Sequence, residues 1–436
     1  MNLNRPGRKE NNALLKKVNR VSTGRRKAGV DGVKIAIIMV LLMVAIAILL
    51  IFIGNLELPQ IGGDTTPAYE NGDPVAPSII GDPFEEVDGE GFVLPPMAED
   101  MVFYHYEGGL TELPVIGATG WVAATSPLRD APAGGGSQIV SLPPGSVFTI
   151  LDAQAEWWYV RLPNETTGWV DHRRCFINLP DVLPSVIFDI INARDAEFRS
   201  SGFDLPNITG EVLYSAYGFN YRLGRYEYIV PGMYTMARAL HNVQQLALSN
   251  NETLIVYEVF RPHSTQQAVV TAMNQLMNAQ PLVGNAIRDS AWTLTWFIST
   301  GVSNHQRGGA VDATLARIRD SEIHQTGDYA FIHITQFDRI NAGTRIHELS
   351  PSAAIVNTPR GISAQQVLGG NVEMTGAAMT GGIVRMQWYF ANAGFNPLAS
   401  EWWHFDHRPS IDMANNAGIT GNFYTEEIHS EPPARG

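Results

Sequence analysis

The segment IAIIMVLLMVAIAILLIFI, residues 35–53, constrains this chain more than any other feature, because nineteen consecutive residues carry neither a charge nor a hydrogen-bonding side chain. A helix of that length spans the hydrocarbon of a bilayer, whereas a helix on a water-soluble domain needs a polar face that this run lacks. A buried core helix is set aside for the same reason. Ten basic residues (Arg5, Arg8, Lys9, Lys16, Lys17, Arg20, Arg25, Arg26, Lys27 and Lys34) precede it, against Glu10 and Asp31. Basic flanks stay on the cytoplasmic side. The run is too long for the apolar part of an ordinary signal peptide, and no small-residue cleavage site follows Ile53. The expectation is a single-pass anchor in the cell membrane, with the N-terminus cytoplasmic and the remainder extracellular.

The formal net charge of −13 divides unevenly, since the ten bases and two acids of the first 34 residues leave −21 for residues 35–436. So acidic an exported part excludes nucleic acid as a partner. Cys175 is the single cysteine, so neither an intramolecular disulfide nor a thiolate metal site is available, and stability must come from packing.

Five regions follow from composition: a basic tail (1–34), a transmembrane helix (35–53), an acidic Pro/Gly-rich stalk (54–100), a small all-β region (101–180) and a larger domain (181–436). The stalk lacks a lasting apolar period and reads as a spacer. In 101–180, short apolar alternations such as SVFTIL and WWYVRL are separated by turns such as PAGGGS and PNETTG, the pattern of a small antiparallel barrel. SPLRDAPAGGGSQIVSLPPGSVFTILDAQAEWWYVRLPNETTGWV resembles a bacterial SH3-like domain, which implies cell-wall peptide binding or a spacer role. Trp157, Trp158 and Trp169 are expected in its core rather than on a ligand platform.

Beyond residue 180, PGMYTMARALHNVQQLALSN places Met233, Met236, Ala237, Leu240, Val243 and Leu246 at helical spacing after Pro231. ETLIVYEVF reads as a strand, Pro262 opens a second helix with Val269, Val270, Met273 and Leu276 on its apolar side, and GGIVRMQWYFANAG is a third helix closed by Gly394. Strands and helices mix without strict alternation, so the expected class is α+β, with an antiparallel sheet and helices.

The chemistry concentrates in two short stretches. In SNHQRGGAVDATL (303–315), His305 and Asp312 are seven apart and would face opposite ways on one straight strand. Gly308 and Gly309 supply a turn, so the reading is a loop feeding a strand. In SEWWHFDH (400–407), Glu401 and His404 stand three apart among aromatic rings and need a local bend to act together. Two imidazoles, one carboxylate ligand and one spare carboxylate suit a zinc site with an open position and a nearby base.

In that order, Ser303-x-His305-x-x-Gly308-x-Ala310-x-Asp312 and Glu401-Trp-Trp-His404 resemble the zinc D-Ala-D-Ala peptidases, most closely the D-alanyl-D-alanine dipeptidases of the vancomycin-resistance type. NITGEVLY, YEVFRP and ANAGFNPLASEWWHF extend the likeness. It implies one zinc ion on His305, Asp312 and His404, Glu401 as general base, and Arg261 stabilising the developing oxyanion. Each residue also has an ordinary reading: Asp312 as a turn cap, His305 as a bonded loop histidine, Glu401 and His404 as surface groups, Arg261 as the partner of Glu258. Ser303 either binds substrate or stiffens its loop. His407 is a candidate substitute ligand or outer partner of the site, whereas His105, His172, His241, His263, His324, His333 and His429 read as surface or loop groups. The dipeptidases also hold the substrate's amino group with a carboxylate, for which His347-Glu348 and Asp338 are the candidate positions.

The resulting expectation is a membrane-anchored extracytoplasmic zinc peptidase that hydrolyses D-Ala-D-Ala in peptidoglycan metabolism. A D,D-carboxypeptidase acting on stem peptides and a non-catalytic wall-binding protein are the alternatives.

Overall fold

Seven strands of four to eight residues between Thr119 and Asn178, joined by short turns, build the first layer of the computed structural model, which describes residues 102–133 and 135–435. The basic tail, the apolar run and the stalk lie outside the described residues, among which no helix is long and apolar enough to cross a membrane. Every pairing in this sheet is antiparallel. Along Trp157–Arg161 and Thr167–Asp171 the predicted alternation holds, with Trp158, Val160 and Val170 inward. Trp158 is core, as expected; Trp157 and Trp169 alternate to the outer face and are half-buried.

The sheet does not close on its own residues. Its edge strand Cys175–Asn178 takes an eighth member, Pro231–Gly232, from beyond the barrel sequence. The C-terminal segment also returns to it: His429 N–H donates to Thr119 Oγ1 at 2.8 Å, Thr149 Oγ1 to His429 O at 2.7 Å, and Glu431 N–H to Gly117 O at 2.7 Å. Buried Asp181 gathers this junction by accepting from Thr119 N, Asn220 Nδ2 and Ser430 Oγ at 2.9, 2.6 and 2.5 Å. One hydrophobic core therefore runs from Trp121 and Trp158 through to Leu254 and Trp403.

The second sheet has the order Asn396–Leu398, Glu401–Asp406, Ala310–Thr326, Glu252–Glu258, Ile187–Phe188, and Tyr329–Arg339 pairs with the far half of Ala310–Thr326. Only the pairing of Ile187–Phe188 with Glu252–Glu258 is parallel among these. Glu252–Glu258 is buried throughout, the mark of a central strand covered on both faces. The three predicted helices form at Tyr234–Ser249, His263–Ala279 and Gly381–Asn392. Met236, Ala237, Leu240 and Val243 of the first, and Val269, Met273 and Leu276 of the second, are buried as their spacing requires, while Leu246 and Val270 sit at the half-buried margins. Helices and strands are thus mixed, with an all-β region preceding them. His172 and His241 correct the expectation of surface histidines: both are buried, His172 against the Trp158 ring at 5.0 Å and His241 inside the first helix face.

Candidate active site

Antiparallel register assembles the site. Asp312 pairs with Glu258 on one side and His404 on the other, so a single cross-strand row collects residues from three strands. The loop before Ala310 turns at Gly308, whose φ of +61° is left-handed, and Gly308 N–H donates to His305 O at 3.0 Å. His305 is thereby folded back over Asp312, as the glycine pair predicts. Beside it, the register of Glu401–Asp406 against Asn396–Leu398 breaks between Pro397 and Leu398, whose partners are Phe405 and Glu401. That irregularity supplies the bend that Glu401 and His404 need, and Glu401 Oε2 lies 3.8 Å from His404 Nδ1.

Three acceptor atoms converge. His404 Nδ1 is 3.0 Å and His305 Nε2 3.3 Å from Asp312 Oδ1, and the two nitrogens are 3.1 Å apart. Each ring is oriented from its other nitrogen: His305 Nδ1–H donates to Val259 O at 2.9 Å, and His404 Nε2–H to Asp406 Oδ1 at 3.1 Å. Asp406 is held in turn by Asn304 Nδ2 at 2.9 and 3.0 Å. One ring nitrogen of each histidine and a carboxylate oxygen of Asp312 therefore face one point, a group that could hold a metal ion. Zinc bonds of ~2.0 Å in tetrahedral geometry separate neighbouring ligand atoms by ~3.3 Å, close to the spacings found. The donor set fits a zinc ion with one carboxylate-supported histidine.

The groups of this cluster shift one another strongly. Burial alone would raise the Asp312 carboxyl, but the surrounding histidines hold it well below the usual range. Burial would depress His404, yet Asp312 and Asp406 on its two nitrogens keep it well above an ordinary imidazole. Glu401 differs from both: burial pushes it up to about 8 against the opposing pull of His404, and no hydrogen-bond donor among the described residues reaches its carboxylate.

Arg261 answers to both of its readings. Its Nε donates to Glu258 Oε2 at 2.7 Å with Nη2 on the same oxygen, Nη1 donates to Gln266 at 2.9 Å, and Nη2 lies 3.6 Å from Asp312 Oδ2. It lines the cleft together with Ser303, His305, Asp312, Glu401 and His404. Ser303 Oγ accepts from Gln306 N at 3.2 Å, which is the loop-stiffening contact. His407 stands apart, with Nδ1 on Ser410 Oγ at 2.7 Å, and only its backbone N–H supports the turn through Gly309 O.

Residues 123–174 match the family model of the bacterial SH3 domain. No curated protein matches the chain. The match covers the strands from Ser126–Arg129 to Thr167–Asp171 of the first layer and does not extend to the region that holds the cleft. The half-buried outer face of the SH3 domain carries Trp157 and the Tyr159–Trp169 ring pair, with centroids 5.2 Å apart.

Two residues of the cleft escape the motif reading. Asp406 follows His404 by two on one strand and shares its face, a signal present in the sequence. His347 carries no such signal: buried, at φ +56° and stacked on Phe198 at 4.2 Å, it donates Nε2–H to Asp312 Oδ2 at 3.2 Å from 35 residues away. The candidate amino-group carboxylates lie elsewhere. Glu348 accepts from Ser201 N and Ser350 Oγ, Asp338 pairs with Arg319 on an exposed hairpin, and neither lines the cleft.

Proposed function

We propose that this chain is a metal-dependent peptidase of the extracytoplasmic face that cleaves a D-Ala-D-Ala-type bond, with zinc held by His305, Asp312 and His404. The observation that carries the reading is the convergence of those three acceptor atoms within 3.3 Å of one another, beside an unligated buried carboxylate. Zinc in such a site supplies Lewis-acid polarisation of a carbonyl and an acidified water. Glu401, whose carboxyl burial raises to about 8, would in its ionised form take a proton from the attacking water and return it to the leaving amine. Arg261, immobilised by Glu258 and Gln266, offers fixed N–H groups to developing negative charge. Trp296, Phe297, Leu398 and Trp403 exclude water around small apolar substituents.

Of the two substrate classes, the stem peptide is favoured over the free dipeptide. The carboxylates lining the cleft are Asp312, Glu401 and Asp406, all engaged at the histidine cluster or next to it, so none is left for a substrate's free amino group. The SH3 domain supports a wall-facing role, and its outer aromatic face is the surface on which it would hold wall peptide. The apolar run at 35–53 is the basis for placing the protein at the membrane.

The test is D-Ala release by the purified chain from stem pentapeptide and from D-Ala-D-Ala, with zinc and with chelator. Faster release from the pentapeptide, abolished by chelator and by Glu401→Gln while zinc stays bound, is expected. Absence of chelator-sensitive release from both substrates refutes the enzyme. Wall binding unchanged in every variant would leave the binding-protein reading, which the SH3 domain by itself also supports.

A further inference from the structure

Residues Tyr217–Asn220 and Arg225–Tyr228 form a two-stranded hairpin that pairs with neither large sheet. Register places Tyr217 opposite Tyr228 and Phe219 opposite Tyr226, so four aromatic residues share one face, and Tyr221 extends it into the turn. That face points outward: Tyr217 is 56% exposed, Tyr226 64% and Tyr221 71%. The opposite face is polar and turned inward. Asn220 donates to buried Asp181 at 2.6 Å, buried Glu227 pairs with Arg225 at 2.8 Å, and Arg222 in the turn is buried with Nη1 on Ile116 O at 2.8 Å. This inverts the usual arrangement of a half-buried sheet, in which apolar side chains face the core. Cross-strand ring pairing stabilises a hairpin whichever way it faces, so it does not explain the outward orientation.

The rings form one band. Following Tyr228, Tyr217, Tyr226, Phe219 and Tyr221, successive centroids are 5.0, 6.0, 5.3 and 5.0 Å apart. The inner polar contacts hold that band rigidly against the body, so little ordering is needed when it binds. We infer that this hairpin is a docking platform for an extended, uncharged β-linked polysaccharide, specifically the glycan strand of peptidoglycan. The choice of that source rests on the wall-facing role proposed above; the platform itself does not depend on the metal site.

Three features select a sugar chain. Exposed rings offer the apolar C–H faces of pyranoses a stacking surface, and phenolic hydroxyls match their hydroxyl rims, although only Tyr217 and Tyr226 lie nearly parallel, at 18°. The five rings carry no charge of their own, and the two arginines beside them are paired, Arg225 with Glu227 at 2.8 Å and Arg194, next to Tyr228, with Asp189 at 3.3 Å, on an exported portion whose net charge is −21. Anionic lipid and anionic polymer are therefore poor electrostatic partners, since a membrane-seated face would carry unpaired Lys or Arg beside the rings. None of the five residues lines the catalytic cleft, so the platform anchors substrate polymer at a distance from the reacting bond.

The test uses the full chain in detergent with chelator present, so that turnover is silent and failure of the peptidase reading cannot mimic failure here. The probe is the N-acetylglucosamine hexamer, measured by calorimetry, alongside co-sedimentation with teichoic-acid-free sacculi. The parent is expected to bind the hexamer, with affinity reduced about 10-fold or more in the Tyr217→Ser/Phe219→Ser/Tyr226→Ser variant. Tyr226→Ala alone, at a largely exposed position of the band, is expected to cost about 3-fold and covers the case of misfolding in the triple variant. No hexamer binding by the parent, or equal binding by parent and both variants, overturns the proposal. So does a loss confined to phosphatidylglycerol vesicle binding or to self-association.

Discussion

Replacing Gly308 with alanine strikes the fold and the site together. The residue sits at φ +61°, and a Cβ there would stand 2.7, 2.9 and 3.1 Å from three ring carbons of Phe176. Phe176 cannot easily retreat, being buried with Phe260 and Phe423 at centroid distances of 5.4 and 5.8 Å. Left-handed backbone costs a side-chain-bearing residue about 1–2 kcal/mol, and overpacking adds about 1–3 kcal/mol. The expected loss is therefore about 2–5 kcal/mol, which for a body of this size lowers the melting midpoint by about 3–7 °C. Because Gly308 N–H closes the turn on His305 O, the same strain moves His305, and zinc affinity should fall about 10-fold or more. Thermal melts in chelator isolate the first effect, and competition against a fluorescent zinc chelator measures the second. Gly301→Ala is the control: nothing lies within 4 Å of its added Cβ, and it should stay within about 0.5 kcal/mol of the parent. A Gly308→Ala protein with parental melting and parental zinc affinity would refute the account of how this loop delivers His305.

Three further outcomes are expected. His347→Ala and Asp406→Asn each release one outer partner of a proposed ligand, Asp312 Oδ2 or His404 Nε2, and should weaken zinc binding about 10–100-fold in the same competition assay; unchanged affinity would remove that residue from the proposed site. Burial, aided by His105, pushes His241 down to about 3, below its unfolded value, so protons bind the unfolded chain more readily. Its cost is absent above about pH 6.5 and grows as pH falls towards 3, reaching about 2 kcal/mol at pH 5; denaturant titrations should show His241→Leu gaining relative stability below pH 6, and parallel pH profiles would count against it. Asp181→Ala strands donors from Thr119, Asn220 and Ser430 and should cost about 3 kcal/mol in urea unfolding, whereas a loss under about 1 kcal/mol would mean the C-terminal return is not pinned there.

Local information was enough for the helices at Tyr234–Ser249 and His263–Ala279, because their burial follows a period that neighbouring residues carry by themselves. It was also enough for the turn at Gly308, since two glycines before a β-rich run leave few alternatives. Asp406 was within reach through its period-two relation to His404. His347 was not, because its place beside Asp312 depends on tertiary packing that brings together positions 35 residues apart.

What the linear chain determined here is therefore of short range: a nineteen-residue apolar run, the turns and alternation of the SH3 domain, the helical periods, and which residues carry imidazole and carboxylate groups. Only the tertiary structure decided that Asp312 and His404 face each other across adjacent strands, that a register break turns Glu401 towards them, and that Glu348 and Asp338 are spent elsewhere. It also decided that the aromatic face of the Tyr217–Tyr228 hairpin looks outward. The physical reason is common to all four: strand register and the packing of a face are set by the sum of many distant contacts, none of which the residues concerned encode in their own neighbourhood.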